Sequence, residues 1–461
     1  MYLTYKIDKA QADKIIAVKE NYLNDVKAKE IKPAKLSETV SAFANAGGGD
    51  IYVGITENGE SKERGWCGFQ DEEDANHIVQ ALFDAHPFGN HISFEFLECD
   101  NYEGLVLHIT VKKVKEIVKS TKGDIYVRVN AGKAKVSSES DIKRLKLDKG
   151  IVTFEDELVA VKINKIENSE SIINFLINVI PFGEPLTYLN NQELISGGMC
   201  KVSGVLLFCD EPAIYLPKRC SVKLMRYKTK DEDIGREFLE GIPQTIEGDI
   251  YHLIYTAVEK TKALVEGVQK LGADGLEVIS YPDETLHEII TNAILHRDYS
   301  IVADVQIRVF DNRIEVESPG KLPGHVTTKN ILEAQSARNP TIVRLINKFP
   351  IPPNQDVGEG LDTAFRAMEA LRLKPPVIIE KDNSVLVTIP HESLASPEEM
   401  VMEYLNNHDE VTNKVARDFT GIKSENTMKN VFLRLKERNL IEPIPERKGA
   451  ASAWRKRQEQ N

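Results

Sequence analysis

Nothing in these 461 residues approaches the ~18–20 consecutive apolar residues that a membrane-spanning helix needs. Cysteine is scarce and scattered. Cys67, Cys99, Cys200, Cys209 and Cys220 are odd in number and form no C-x-x-C pair, which argues against a zinc site and a disulfide framework. No G-x-x-x-x-G-K-[ST] run occurs, which argues against a P-loop helicase or motor. The stretch Met1–Lys14 is polar and mixed in charge, with no signal-peptide core behind it. Net positive charge is missing as well: the formal balance is −12, against a generally basic nucleic-acid binder. Together these absences predict a cytoplasmic protein in a reducing compartment, without membrane contact.

What is present describes a modular globular chain. At ~100–200 residues per domain the length leaves room for three or four domains. The 41% hydrophobic and 28% charged residues suffice for several cores. The charge is unevenly spread. Lys429–Arg457 carries nine Lys or Arg against three Glu, a local balance of +6 that leaves −18 on the rest. A basic tail on an acidic body points to one module that touches phosphate, although such a run read alone is more often a solubilising tail.

Residues 1–150 read as one α/β unit. A helix at about Lys9–Lys19 leads to an extended piece at Leu23–Lys27. A second helix near Leu36–Ala46 comes next, in which Leu36, Val40, Phe43 and Ala44 recur at helical spacing. Gly47-Gly48-Gly49 ends it. Strands are predicted at Ile51–Ile55, His91–Leu97, Leu105–Val111 and Ile125–Val129, and a Ser-rich cap at Ser137–Ser140 opens a helix to about Leu147. Residues 151–270 form a mixed middle segment with an apolar strand at Gly204–Phe208. Residues 271–394 hold an amphipathic helix, a hairpin, a glycine loop and two late strands. Residues 395–461 form the last domain.

The helix that starts at Tyr281-Pro282-Asp283 carries the most chemistry. Leu286, Ile289, Ile290, Ala293 and Ile294 make its apolar stripe, while Glu288, Asn292 and His296 stack at i, i+4, i+8. An Asn amide oxygen can hold Mg²⁺, and a Glu one turn earlier can orient a water for attack on phosphate. Any surface helix shows such a row, so the order of the elements after it decides. A hairpin ends in Ser318-Pro319-Gly320, and Gly358-Glu359-Gly360 opens the next helix, a turn suited to phosphate. Glu288–Ser300 (EIITNAILHRDYS), Arg313–Pro323 (RIEVESPGKLP), Arg338-Asn339-Pro340 and Gly358-Glu359-Gly360 resemble a GHKL-type ATPase domain. The branch is that of prokaryotic proteins with an N-terminal Schlafen/AlbA-like domain. The resemblance implies Glu288 as catalytic carboxylate, Asn292 as Mg²⁺ ligand, and Gly320, Gly358 and Gly360 around ATP, with His296 beside them. Two positions depart from it: Ser318 stands where the adenine-binding loop begins with Asp, and Leu322 where it has a second glycine.

Near the N-terminus, Asp25 and Lys27 point to one face if Leu23–Lys27 is extended, with Glu20 alongside. A carboxylate two residues before a lysine can hold a divalent metal while the ammonium meets the scissile phosphate. A lone D-x-K is more often a solvated charge pair. Glu20–Lys27, Ser41–Gly49 (SAFANAGGG), Ile51–Ile55 and Tyr126-Val127-Arg128 resemble a Schlafen/AlbA-like domain across nearly all of 1–150. That resemblance implies nucleic-acid binding and, in its nuclease members, Mg²⁺ or Mn²⁺ on Glu20, Asp25 and a third carboxylate, Asp50 or Glu57. Lys32, Lys35, Lys112, Lys113, Lys115, Arg128, Lys133 and Lys135 are the candidate phosphate contacts.

Residues 398–461 resemble a winged helix-turn-helix. Ser424–Arg438 is the expected recognition helix, with Ser424, Asn426, Thr427 and Lys429 reaching base edges and Arg447-Lys448 as wing on phosphate. The expected architecture is α/β multidomain: a Schlafen/AlbA-like α+β domain (1–150), a mixed middle segment (151–270), a GHKL-like α/β sandwich (271–394) and a winged helix (395–461). The expected function is an ATP-responsive DNA-binding regulator, self-associating. The rival is a metal-dependent nuclease effector, gated by ATP and acting on DNA or RNA in anti-phage defence.

Overall fold

In the computed structural model the described residues are 3–57, 63–86, 91–231, 235–267, 269–272, 275–278, 281–353, 360–371, 373–391, 397–420, 422, 424–445, 447 and 452–457. The chain divides into two compact units, Met1–Ala367 with Pro376–Ile389, and Met368–Pro375 with Pro390–Asn461.

The first unit opens with a five-stranded mixed sheet made of β1 (Leu3–Lys6), β2 (Asn24–Lys27), β3 (Gly49–Val53), β4 (Ile92–Glu98) and β5 (Val106–Val111), in the order β1-β4-β5-β3-β2. Helix α1 (Pro33–Ala44) covers one face. Pro33 occupies its first turn, where a missing N–H costs nothing. Its Leu36, Val40 and Phe43 are fully buried with Ile51, Phe96, Leu107 and Ile109. Strand register then sorts the charged residues by face. In the parallel β2–β3 pair Asp25 lies opposite Ile51, so it points to the α1 side, whereas Asn24 lies opposite Asp50. Asp25 and Asp50 therefore project from opposite faces.

The middle segment is woven into the strands of the ATPase-like region. A six-stranded sheet collects β6 (Val222–Tyr227), β7 (Leu239–Ile246), β8 (Val305–Val309), β9 (Arg313–Pro319), β10 (Val377–Glu380) and β11 (Ser384–Pro390), in the order β7-β6-β8-β9-β11-β10. The expected boundary at residue 270 falls inside this assembly, because β6 pairs in parallel with β8. On one face Val305, Ile307, Val309, Ile314 and Val316 are buried. The other face carries ion pairs such as Arg308–Glu315 (3.0 Å) and Arg313–Glu315 (2.7 Å), the alternation of a sheet covered on one side. Glu155, fully buried, accepts from the backbone N–H of Thr341 (2.8 Å) and Ile342 (2.9 Å), so a middle-segment carboxylate caps the helix Pro340–Ile346. One expectation fails here. Gly204–Phe208, expected as a strand, lies in the helix Val202–Phe208. A short, wholly apolar run has no period to distinguish the two, and burial on all sides accommodates a helix equally well.

Helix α2 (Glu139–Asp148) follows the first sheet, capped by Ser138. Just past it, Lys149 is 2% exposed and its ammonium donates to the Ala44 carbonyl (3.0 Å). Burial pushes its pKa down to about 7, with Lys113 adding repulsion. The folded value lies below the unfolded one of 10.5, so protonation opposes folding. The penalty is present below pH 7 and is relieved as pH rises toward 10.5. Unfolding free energy should therefore rise by about 2 kcal/mol between pH 7 and 9. Denaturant titrations should show that Lys149→Met removes most of this rise.

Candidate functional site

Helix α3 (Ile250–Glu266) and helix α4 (Asp283–Leu295) pack on each other and on the six-stranded sheet. The apolar stripe of α4, with Leu286, Ile289, Ile290 and Ile294 buried, turns the Glu288–Asn292 row away from the core into a cavity of about 370 Å³. Glu288, Asn292, His296, Ser318, Gly320 and Gly360 all line it. Gly358 lies outside the described residues.

The row is wired in a definite sense. The Asn292 side-chain N–H donates to Glu288 Oε1 (2.7 Å), which leaves the Asn292 Oδ1 as the hard oxygen available to a cation. Burial raises the Glu288 carboxyl above its ordinary value, and the Asn292 amide offsets part of that. Gly360 begins helix α5 (Gly360–Ala370) directly against this carboxylate. A Cβ there would come 2.0 Å from Glu288 Oε1, so a larger residue would push that carboxylate out of its place. Gly320 holds φ +107°, and its N–H donates to the Asn383 carbonyl (2.8 Å). Ser318 Oγ donates to the Ala293 carbonyl (2.7 Å), fastening the end of β9 to α4. Burial lowers the pKa of His296 to about 4, with Arg338 adding repulsion, so the ring is neutral at physiological pH.

The N-terminal carboxylates also converge, on a cation of the chain itself. Lys27 Nζ pairs with Asp25 Oδ1 and lies 3.3 Å from Glu20 Oε1. The other Asp25 oxygen accepts from Arg128 (2.7 Å). Arg128, expected among the phosphate contacts, is 5% exposed. Its guanidinium sits 4.6 Å over the Phe43 ring and donates to the Asn21 (2.8 Å) and Asn24 (3.1 Å) carbonyls. It is a structural counter-ion rather than a surface charge. Asp50 accepts from His108 (2.9 Å) and Thr110 (3.0 Å) on the opposite sheet face from Asp25, which separates it from the Glu20–Asp25 pair. Glu57 lies 3.6 Å from Arg64, whose guanidinium reaches the Val18 carbonyl near Glu20. Lys35 and Lys133 both pair with the buried Glu38, and Lys135 pairs with Asp124. Among the described residues no group of three His, Cys, Asp or Glu is arranged to hold a metal.

In the second unit three helices, α6 (Pro397–Asn407), α7 (Asn413–Thr420) and α8 (Glu425–Glu437), pack around Val401, Met428, Val431, Phe432 and Leu435. A three-stranded antiparallel sheet joins them. It has β12 (Val411–Thr412), β13 (Ile441–Pro443) and β14 (Ala453–Lys456) in the order β12-β14-β13. Ser424 is committed to capping α8 through the Thr427 N–H (3.3 Å). Asn426, Thr427 and Lys429 are exposed on its first turns. Arg447 pairs with Glu410 (2.8 Å), and Lys448 lies outside the described residues.

Residues 13–137 match the family model described as "Schlafen, AlbA_2", and residues 303–389 match the one described as "Putative ATP-dependent DNA helicase recG C-terminal". The chain thus joins a Schlafen/AlbA domain to an ATPase-like domain. Helix α4, with Glu288 and Asn292, precedes the second match. No curated protein matches. Among solved structures, the DIP2311 protein from Corynebacterium diphtheriae is similar at 16% identity and a TM-score of 0.42, over 97% of this chain and 96% of that one. No helix among the described residues is long and apolar enough to cross a membrane.

Several residues that build these sites give no local signal in the sequence. Lys113, Arg144, Glu155 and Arg338 act on segments far along the chain, and only Arg338 falls in a recognisable motif. The Asp25–Arg128 pair has a clear consequence for stability. Removing the guanidinium leaves the buried Asp25 with Lys27 as its counter-ion and takes the donors from the Asn21 and Asn24 carbonyls, so Arg128→Leu should cost at least about 2 kcal/mol in chemical denaturation of the full chain. Arg128→Leu combined with Asp25→Leu should recover much of that loss. A single-variant cost below about 1 kcal/mol would show that the pair is dispensable.

Proposed function

We propose that this chain is an ATP-binding, nucleic-acid-binding regulator in which a GHKL-like nucleotide pocket is joined to a Schlafen/AlbA domain and a winged-helix DNA reader. The observation that carries the reading is the shared cavity: residues from 288 to 360, chosen for the chemistry of phosphate and Mg²⁺, line one space of a size that suits a small ligand. In this reading Asn292 Oδ1 supplies one hard oxygen to Mg²⁺, and phosphates and water complete the shell. Glu288, its basicity raised by burial, orients a water toward the terminal phosphate. Ser318 presents a neutral hydroxyl where the resembled family has Asp, so adenine meets no fixed negative charge there. Asn292→Ala should weaken ATP·Mg²⁺ binding at least about tenfold, whereas Glu288→Ala should bind ATP within about threefold and lose any hydrolysis. Calorimetry that finds wild-type affinity in Asn292→Ala overturns the assignment.

The winged-helix reading of 395–461 rests on the exposed Asn426, Thr427 and Lys429 at the start of a capped helix, together with the +6 balance of Lys429–Arg457. Self-association is proposed with it, since paired half-sites suit a dimer. A second reading, a metal-dependent nuclease effector in phage defence, is favoured by the convergence of Glu20 and Asp25 on Lys27. A divalent ion would have to displace that ammonium, freeing it to meet the scissile phosphate. One experiment separates the two. The full chain is incubated with Mg²⁺ or Mn²⁺ and a panel of tRNA, single-stranded DNA and duplex DNA, and both retardation and cleavage are read. The regulator should retard duplex DNA with a steep salt dependence that is lost on deleting 396–461, and leave every substrate intact. Cleavage abolished by Glu20→Gln would instead establish the nuclease.

A further inference from the structure

The nucleotide pocket borrows part of its roof support from the Schlafen/AlbA domain. Lys113 follows β5 in that domain, and its ammonium donates to the carbonyls of Leu322 (2.8 Å) and Val326 (3.0 Å), two residues that line the pocket. It also lies 3.8 Å from Glu380, whose carboxylate accepts from the Leu322 N–H (3.0 Å). The Leu322 residue is thus gripped at both ends, by a cation on its C=O and an anion on its N–H. Both gripping side chains line a second, wider cleft of about 1230 Å³, and Ile378 lines both cavities. On its far side the Lys113 backbone packs against the turn after α1. A Cβ on Gly48 would come 2.7 Å from the Val111 carbonyl and 3.0 Å from the Lys113 nitrogen. The next residues of that turn lead into β3, beside the strand that carries Asp25.

A buried ammonium cannot be left without acceptors. The Lys113 side chain is 7% exposed, and burial lowers its pKa, opposed by Glu380. Charge-assisted bonds to two carbonyls are what make its position tolerable. If a ligand entering the pocket shifts Leu322–Val326, Lys113 must follow or lose its partners. We propose that Lys113 is a positioning residue for the nucleotide pocket, fastening its roof to the Schlafen/AlbA domain so that filling the pocket is transmitted to the Gly47–Asp50 turn. The proposal rests on the reading of the pocket as a nucleotide site and assigns the domain that responds to it.

Differential hydrogen exchange on the full chain, with and without ATP·Mg²⁺, tests both. In the wild-type protein nucleotide should slow exchange in peptides covering 288–296 and 320–326, and change it roughly fivefold in the peptide covering 47–50. Lys113→Met should keep the response at 288–296 and lose the one at 47–50. Lys113→Arg, which retains the cation and its donors, should restore it. An unchanged response at 47–50 in Lys113→Met overturns the linkage. Should Lys113→Met fail to fold, Glu380→Gln is the second variant, expected to reduce the 47–50 response at least about threefold and overturning the proposal if it does not. If the wild-type protein shows no protection at 288–296, the nucleotide reading falls. The fastening is then decided without ligand: Lys113→Met must speed exchange across 320–326, and no change there overturns it.

Discussion

One buried carboxylate organises the first unit. Asp298, 1% exposed, accepts from the Ser300 N–H (2.9 Å) and hydroxyl (2.6 Å), pairs with Arg144 of α2, and lies 3.5 Å from Arg338. Burial alone would raise its pKa, but the two guanidinium groups and the Ser300 hydroxyl win and hold it below the ordinary carboxylate range. The same two arginines reach outward. Arg338 donates to the Leu147 carbonyl (2.9 Å) and to the Lys321 carbonyl, and Arg144 donates to Ser300 (2.9 Å). Four segments distant in sequence, around 147, 298, 321 and 338, are thereby tied to one charge. Gly320 is part of the same constraint, because a Cβ there would come 2.6 Å from Asp298 Cβ.

Such a cluster is a poor source of net stability. Desolvating three charges costs several kcal/mol per ion, and well-packed apolar residues of similar volume often do as well or better. Its value is geometric. An apolar contact between α2 and the loop after β9 could slide, whereas a carboxylate with two guanidinium partners has few satisfactory arrangements. The segment Ser318–Val326, which must both line a pocket and meet the N-terminal domain, is held by donors to its carbonyls from Arg338 and Lys113. Specificity of placement is what the polar join supplies, while the apolar stripe of α4 and the buried face of the sheet supply the adhesion.

This division explains how far the sequence can be read. Periodicity locates α1, α4 and the β8–β9 hairpin within a few residues, because their apolar residues recur at a helical or strand period among polar ones, even in α1, which is buried all along Leu36–Ala44. It fails at Val202–Phe208, where every residue is buried and no alternation survives. It cannot reveal that β6 and β7 belong to the same sheet as β8, since strand partners are long-range choices and the intervening residues carry no mark of the pairing. Within the candidate sites the contrast is similar. Glu288, Asn292 and His296 are legible because helical spacing stacks them locally. Lys113 is one cation among eight candidates for phosphate, and nothing beside it in sequence distinguishes the one that is buried on two carbonyls. Arg128 misleads for the same reason. A cation's sign is visible in the sequence, but its solvation is decided by Phe43, Asp25 and Asn21 from elsewhere in the chain.

The two candidate centres also show why similar residues lead to different chemistry. Glu288 and Asn292 share a hydrogen bond at a cavity wall, with a carboxyl made more basic by burial and an amide oxygen left open. That arrangement has unused capacity, which is what a ligand requires. Glu20 and Asp25 instead surround an ammonium, and Asp25 has a second cation on its other oxygen. Their charge is already answered, so any divalent ion must displace Lys27 in a site where Asp25 stays locked to Arg128. With Arg128 fixed by two backbone carbonyls, only Lys27 and Glu20, both partly exposed, are free to rearrange. Metal entry would therefore be a rearrangement of those two side chains about a stationary Asp25. The energetic obstacle is the displaced ammonium, which needs a new anion, and in the nuclease reading the phosphate of a bound nucleic acid would meet that need.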